Sequence, residues 1–129
     1  MGKDQLIVAN DGAAQTQLQM LLEFLLKRKA GSISYFDGKK SHWLVEGASG
    51  ITAVATDRQL KHLFVGQVND KAMRVYELSA DFKTMTEVSQ LELKTAPDNF
   101  YVDPDNVIWI VRYQSPLIKA YNIGCSSRN

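Results

Sequence analysis

The chain has 129 residues, 45% of them hydrophobic and 22% charged, which suits one folded domain and excludes global disorder. Fifteen basic residues against fourteen acidic ones leave a net charge of +1, so no general field draws nucleic acid or an anionic membrane. A single cysteine, Cys125, excludes an internal disulfide framework, no Cys/His spacing suggests zinc, and no apolar run reaches membrane-spanning length.

Met1 to Gln5 is polar and carries both charge signs, so it does not read as a secretory signal, and a soluble cytoplasmic domain is expected. Leu6 to Ala9 is short, apolar and β-prone. Gln15 to Lys29 carries the longest helical signal: Leu18, Leu21, Leu22 and Leu25 recur at i, i+3, i+4 and i+7. Thr16 or Asp11 suits its start, Gly31 its stop, and Lys27, Arg28 and Lys29 suit the negative end of its dipole. The plain expectation is a helix packed on the core; the sharper one is a lid or a partner-binding helix, because Met20, Phe24 and Leu26 widen its apolar face.

The remainder reads as strand and turn. Ser32 to Phe36 ends in the tight-turn dipeptide Asp37-Gly38 and leads into His42 to Val45. Gly50 to Ala55, Leu63 to Val65, Met73 to Leu78, Thr86 to Leu93, Phe100 to Val102, Val107 to Arg112 and Leu117 to Tyr121 follow. Val88 and Leu91 break the alternation of their strand, the mark of a bulge. Ten short strands with closely spaced turns indicate an all-β sandwich, barrel or propeller.

An internal repeat favours the propeller. Gly50 to Asp57 aligns with Asp98 to Asp105, His62 to Gly66 with Ile108 to Arg112, and Met73 to Leu78 with Ile118 to Ile123. Tyr35, Tyr76 and Tyr121 share one position, 41 and 45 residues apart. The chain then divides into about three four-stranded blades, at 6–47, 48–94 and 95–123, in one domain with a polar tail at 124–129. The first blade lacks an inner strand and the last an outer one, with the helix inserted in the first.

Inner strands of a propeller start near the central channel, so polar groups at those starts can converge on a ligand. Ser49 and the pair Asp98-Asn99 sit at two such starts, and Asn10-Asp11 follows the first strand. Their oxygens are hard donors of the kind calcium takes. The same pairs also serve as turn and cap residues. His42 and His62, the only histidines, fall on an outer strand and a turn, away from the channel. Trp43 and Trp109 lie on strands and read as core; Lys27 to Lys29 with Lys39-Lys40 reads as a solvated basic face. No phosphate loop or serine elbow is present.

Several motifs then agree in order and spacing: Asn10-Asp11 after a Leu-Ile-Val-Ala strand, Leu21-Leu22-Glu23, Ser34-Tyr35-Phe36-Asp37-Gly38, Ala48-Ser49-Gly50-Ile51, and Asp98-Asn99 before Val102-Asp103-Pro104. Over Leu6 to Asn122 the chain resembles the central blades of the calcium-dependent paraoxonase/arylesterase family, six-bladed propellers akin to the senescence-marker and gluconolactonase group. The resemblance implies a catalytic calcium held by Asn10, Asp98, Asn99 and the position of Ser49, and a structural calcium near Asp11. Calcium there polarises the carbonyl of an ester or lactone. Ser49 departs from the family's asparagine, and the family's upstream Glu ligand and His pair have no counterpart here.

Two functional classes follow. One is a calcium-dependent lactone or aryl-ester hydrolase with an incomplete site. The other is a non-catalytic binding or assembly module that keeps the blades. Two chains closing head to tail into a six-bladed ring, and a monomer whose helix covers an edge through Leu21, Phe24 and Leu25, are the alternatives for assembly.

Overall fold

The computed structural model describes residues 2–10, 16–26, 31–112 and 119–120. Asp11, Lys27 to Lys29, Cys125 and the tail at 124–129 lie outside the described residues. The elements run β1 (Leu6–Asn10), α1 (Gln17–Leu25), β2 (Gly31–Phe36), β3 (Ser41–Ala48), β4 (Ile51–Thr56), β5 (His62–Gln67), β6 (Ala72–Leu78), β7 (Met85–Glu92), β8 (Pro97–Val102), β9 (Ile108–Arg112) and β10 (Lys119–Ala120). They form three antiparallel sheets, β1-β2-β3, β4-β5-β6-β7 and β8-β9-β10, each paired in chain order. The all-β class and the blade-like succession of sheets agree with the repeat.

Short turns dictate this neighbour-to-neighbour pairing from β2 to β3, within β4 to β7 and from β8 to β9, while the segment carrying α1 joins β1 to β2. Four turns at one rim of the sheets are built around an aspartate. Asp37 Oδ1 accepts the amides of Lys39 and Lys40, Asp57 Oδ1 those of Lys61 and His62, Asp81 Oδ1 that of Lys83, and Asp103 Oδ1 those of Asp105 and Val107. Three of these turns also place a non-glycine residue at positive φ, Leu60, Phe82 and Asn106, whose amide bonds the carbonyl three residues back. Asp57 and Leu60 therefore match Asp103 and Asn106, 46 residues on. That corrects the sequence alignment of Gly50 with Asp98 by two residues.

The core lies between the sheets. Ile33 and Ala48 pack with Ile51, Leu63, Val65, Tyr76 and Leu78 at the first junction. Ala53 and Met73 pack with Phe100, Ile108 and Ile110 at the second. Gly66 lets the second junction close: a Cβ there would lie 2.9 Å from Phe100 Cζ and 3.1 Å from Ala53 Cβ. The bulge expected in β7 is present: Val75 opposes Ser89 and Tyr76 opposes Glu87, leaving Val88 as the extra residue.

Three expectations need correction. Thr16 Oγ1 accepts the amide of Gln19 and starts the helix, but Leu18, Leu21, Leu22 and Leu26 are exposed, Leu18 by 67%. Those four leucines are therefore not packed on the core; the side chains of Met20, Phe24 and Leu25 lie outside the described set. Trp43 is 60% exposed and Trp109 38%. Both lie on the outward faces of the end sheets, where no further sheet among the described residues covers them.

Candidate functional site

At the rim opposite the aspartate turns lies an open cleft of about 550 Å³, lined by Ala9, Asn10, Ile51 to Val54, Asp98 and Asn99. All three sheets contribute, because β1 ends there while β4 and β8 begin there. Asn10 is the last residue of β1 and is exposed. Asp98 and Asn99 follow the buried Pro97 and are also exposed. The pairing of β8 with β9 slips between Pro97 and Asn99, and that of β4 with β5 slips between Ile51 and Ala53. Asp98 and Thr52 are thus the unpaired residues of two matching bulges, a device that re-aims side chains out of a ladder. Thr52 Oγ1 donates to the Pro97 carbonyl at 2.8 Å and locks β4 to β8 at the mouth of the cleft.

The structure brings Asn10, Asp98 and Asn99 to one cleft, whose lining does not include Ser49. Ser49 is 4% exposed, and its hydroxyl donates to Asp70 Oδ1 at 3.1 Å. Asp70 in turn faces Arg74 Nη2 at 3.8 Å. Arg74 Nε donates to the buried Gln67 Oε1 at 2.6 Å, and Nη1 donates to both carboxylate oxygens of Glu87. Gly50 beside it adopts φ +58°, and a Cβ there would meet Val68 Cγ1 at 2.8 Å and Asn69 Nδ2 at 2.9 Å. The β5–β6 turn therefore presses on the Ser49-Gly50 corner and leaves room only for glycine at position 50.

The donor chemistry of the cleft is hard oxygen. Asn99 Oδ1 also accepts the amide of Phe100 at 2.9 Å, so one of its donors is partly engaged. Among the described residues no three His, Cys, Asp or Glu side chains gather closely enough to hold a metal ion by themselves. The histidines are at the other rim. His42 Nε2 and Asp37 Oδ2, and His62 Nδ1 and Asp57 Oδ2, each lie 2.8 Å apart. The His42 hydrogen bond, with the amides of Lys40 and Lys39, holds the Asp37 carboxyl well below the usual range. Burial pushes Asp57 up, but the His62 ring and the amides of His62 and Lys61 outweigh it and hold it low. The Trp109 indole and the Val107 amide do the same for Asp103. These pairs brace turns; their side chains line neither face of the cleft.

Sequence reading does not single out Asp70 or Thr52. The signal for Asp70 is the Asn69-Asp70 pair between two strands, which is indistinguishable from ordinary turn chemistry. Thr52 is legible only once its bulge is aligned with that of Asp98.

No helix among the described residues is long and apolar enough to cross a membrane. In comparison with known proteins, the arylesterase family profile matches residues 1–126. The chain is 26% identical over 114 residues to the mechanosensory abnormality protein 6 of Caenorhabditis elegans, covering 88% of this chain and 30% of that protein. It is 27% identical over 105 residues to serum paraoxonase/arylesterase 2 of Gallus gallus, covering 81% of this chain and 29% of that protein. The chain thus spans less than a third of the length of these relatives, yet the profile runs through nearly all of it: the chain belongs to the arylesterase, or paraoxonase, family.

Proposed function

We propose that the chain is three blades of a six-bladed propeller, at 6–47, 48–94 and 95–123, and that its cleft is part of a calcium site serving hydrolysis of a lactone or aryl ester. The observation that carries this reading is the convergence of Asn10, Asp98 and Asn99 on one open cleft from two different sheets. Family membership supports a hydrolase-like propeller. When bound, calcium supplies Lewis-acid polarisation of the carbonyl. Asp98 supplies the negative charge, the Asn10 and Asn99 amides supply neutral oxygens, and the Thr52–Pro97 bond ties β4 to the strand that carries Asp98 and Asn99. These residues fit calcium by chemistry but fall short by number, since calcium takes six to eight oxygens.

A second reading rests on one observation: the Ser49 hydroxyl turns to Asp70 and away from the cleft. With that donor withdrawn and both histidines at the far rim, the blades can persist as a non-catalytic binding or assembly module.

Titration calorimetry with calcium chloride tests the first reading. Weak saturable binding is expected, with a dissociation constant in the range of about 10⁻⁴ to 10⁻³ M, lost in Asp98→Ala and tightened in Ser49→Asn. Hydrolysis of phenyl acetate or a small lactone that requires calcium and Asp98 supports the enzyme. No calcium heat in the wild-type chain overturns the metal site, and calcium binding without hydrolysis selects the binding module.

A further inference from the structure

We infer that Thr52 is a positioning residue for Asp98: its hydroxyl holds the Pro97–Asp98 peptide plane and so aims the carboxylate that lines the cleft. The inference rests on the metal reading proposed above.

The alternation of β4 breaks at Thr52. Val54 packs with the first core, and Ala53 and Ala55 with the second. An unbroken strand would put Ile51 on the face of Ala53, and Thr52 on the face of Val54. Ile51 instead packs in the first core, because the slip between Ile51 and Ala53 adds one residue to the strand. That residue is Thr52. Freed from the face of Val54, its Oγ1 donates to the Pro97 carbonyl of β8 at 2.8 Å.

The acceptor is rigid. Pro97 is among the most fully buried side chains, and its Cγ lies 3.2 Å from where a Cβ of Gly66 would stand. Its ring also fixes φ. The Pro97 carbonyl and the Asp98 Cα share one planar peptide unit. A bond on that oxygen therefore sets the direction in which the chain enters Asp98. Asp98 has no partner on β9 to set it otherwise.

The same bond is not needed to join the sheets. Ala53 and Met73 already pack on Phe100, Ile108 and Ile110. At the far rim the Arg58 amide donates to Asn106 Oδ1, Arg58 Nε to the Asp103 carbonyl, and Asn106 Nδ2 to Gln59 Oε1. Of these hydrogen bonds only that of Thr52 lies at the cleft. Partners that orient a metal's ligands govern its affinity by about tenfold or more.

The test uses the whole 129-residue chain, isotope-labelled for NMR, and four variants. Thr52→Val keeps the branched shape and removes the hydroxyl, and Thr52→Ala removes both. Thr52→Ser keeps the hydroxyl, and Gln59→Ala removes a far-rim tie. Circular dichroism checks each fold. In the metal-free chain the heteronuclear NOE of the Asp98 amide is expected to fall in Thr52→Val and Thr52→Ala. It should keep its wild-type value in Thr52→Ser and Gln59→Ala. In a calcium chloride titration followed at the Asn99 amide, the midpoint should rise about tenfold in Thr52→Val and Thr52→Ala alone. An Asp98 NOE and a calcium midpoint that both ignore the loss of the hydroxyl overturn the inference. A Thr52→Ser variant as loose as Thr52→Val also overturns it, since the hydroxyl is then not the agent. So does an equally loose Gln59→Ala, since any tie between the sheets then serves. A wild type with no calcium response, together with an Asp98 loosened in Thr52→Val, sustains the positioning and removes the metal reading. Wild-type calcium binding with equal midpoints in all variants does the reverse.

Discussion

Gly66 and Phe100 face each other across the junction of the second and third sheets, with a glycine Cβ position only 2.9 Å from Phe100 Cζ. Phe100 is buried and stiff, so it cannot swing aside cheaply. Gly66→Val is expected to lower unfolding free energy by about 1–3 kcal/mol through overpacking. Urea titration followed by tryptophan fluorescence checks it; an unchanged midpoint would show that the junction yields.

The Arg74 network makes a prediction about asymmetry. Gln67 is 3% exposed and its Oε1 accepts from Arg74 Nε. Arg74→Met strands that buried oxygen and should cost about 1–3 kcal/mol. Glu87→Ala breaks an exposed pair and should cost under about 1 kcal/mol. Arg74→Lys should not restore stability, because a point ammonium cannot fork to Gln67 and Glu87 together. Equal losses in Arg74→Met and Glu87→Ala would contradict the geometry.

Acid should loosen the aspartate turns. The carboxyls of Asp37, Asp57 and Asp103 titrate below their ordinary value of 3.8 in the folded chain. A depressed folded pKa gives stability that is present above the ordinary value and lost as pH falls through the folded one. Melting temperature should therefore hold through pH 5 and drop as pH falls from about 4. Asp57→Asn should flatten that drop while lowering stability at neutral pH. A drop of the same size in Asp57→Asn would remove Asp57 from the account.

The helix should respond locally. Thr16→Ala removes the cap on the Gln19 amide, worth about 0.5–2 kcal/mol. Because Leu18, Leu21 and Leu22 are exposed, amide exchange in α1 should quicken by up to about thirtyfold while the global melting temperature stays put. A matching global loss would mean that α1 is coupled to the sheets.

The legibility of this fold follows its periodicity. Strand order was readable because turn residues such as Asp37-Gly38 separate short apolar runs, and the bulge at Val88 was readable from a break in alternation. The placement of Trp43 and Trp109 was not. Alternation tells which residues share a face, but only a neighbouring sheet decides whether that face is covered. The α1 leucines failed in the same way, since an apolar stripe does not say what it rests on. At the cleft, Asn10, Asp98 and Asn99 were legible as polar groups at strand ends. The direction of the Ser49 hydroxyl was not, because it depends on Asp70 in a turn 21 residues away.

The bulged outer strand β7 has a practical consequence for keeping this chain in solution. Met85–Glu92 is almost wholly exposed and, among the described residues, has one unpaired edge, the geometry on which cross-β growth templates itself. Val88 interrupts its ladder, while Glu87 and Glu92 flank the exposed Val88 and Leu91 with like charge. Both features act as gatekeepers against fibril formation. Neutralising those glutamates, or straightening the strand by deleting Val88, should turn a well-behaved preparation into one that binds thioflavin T.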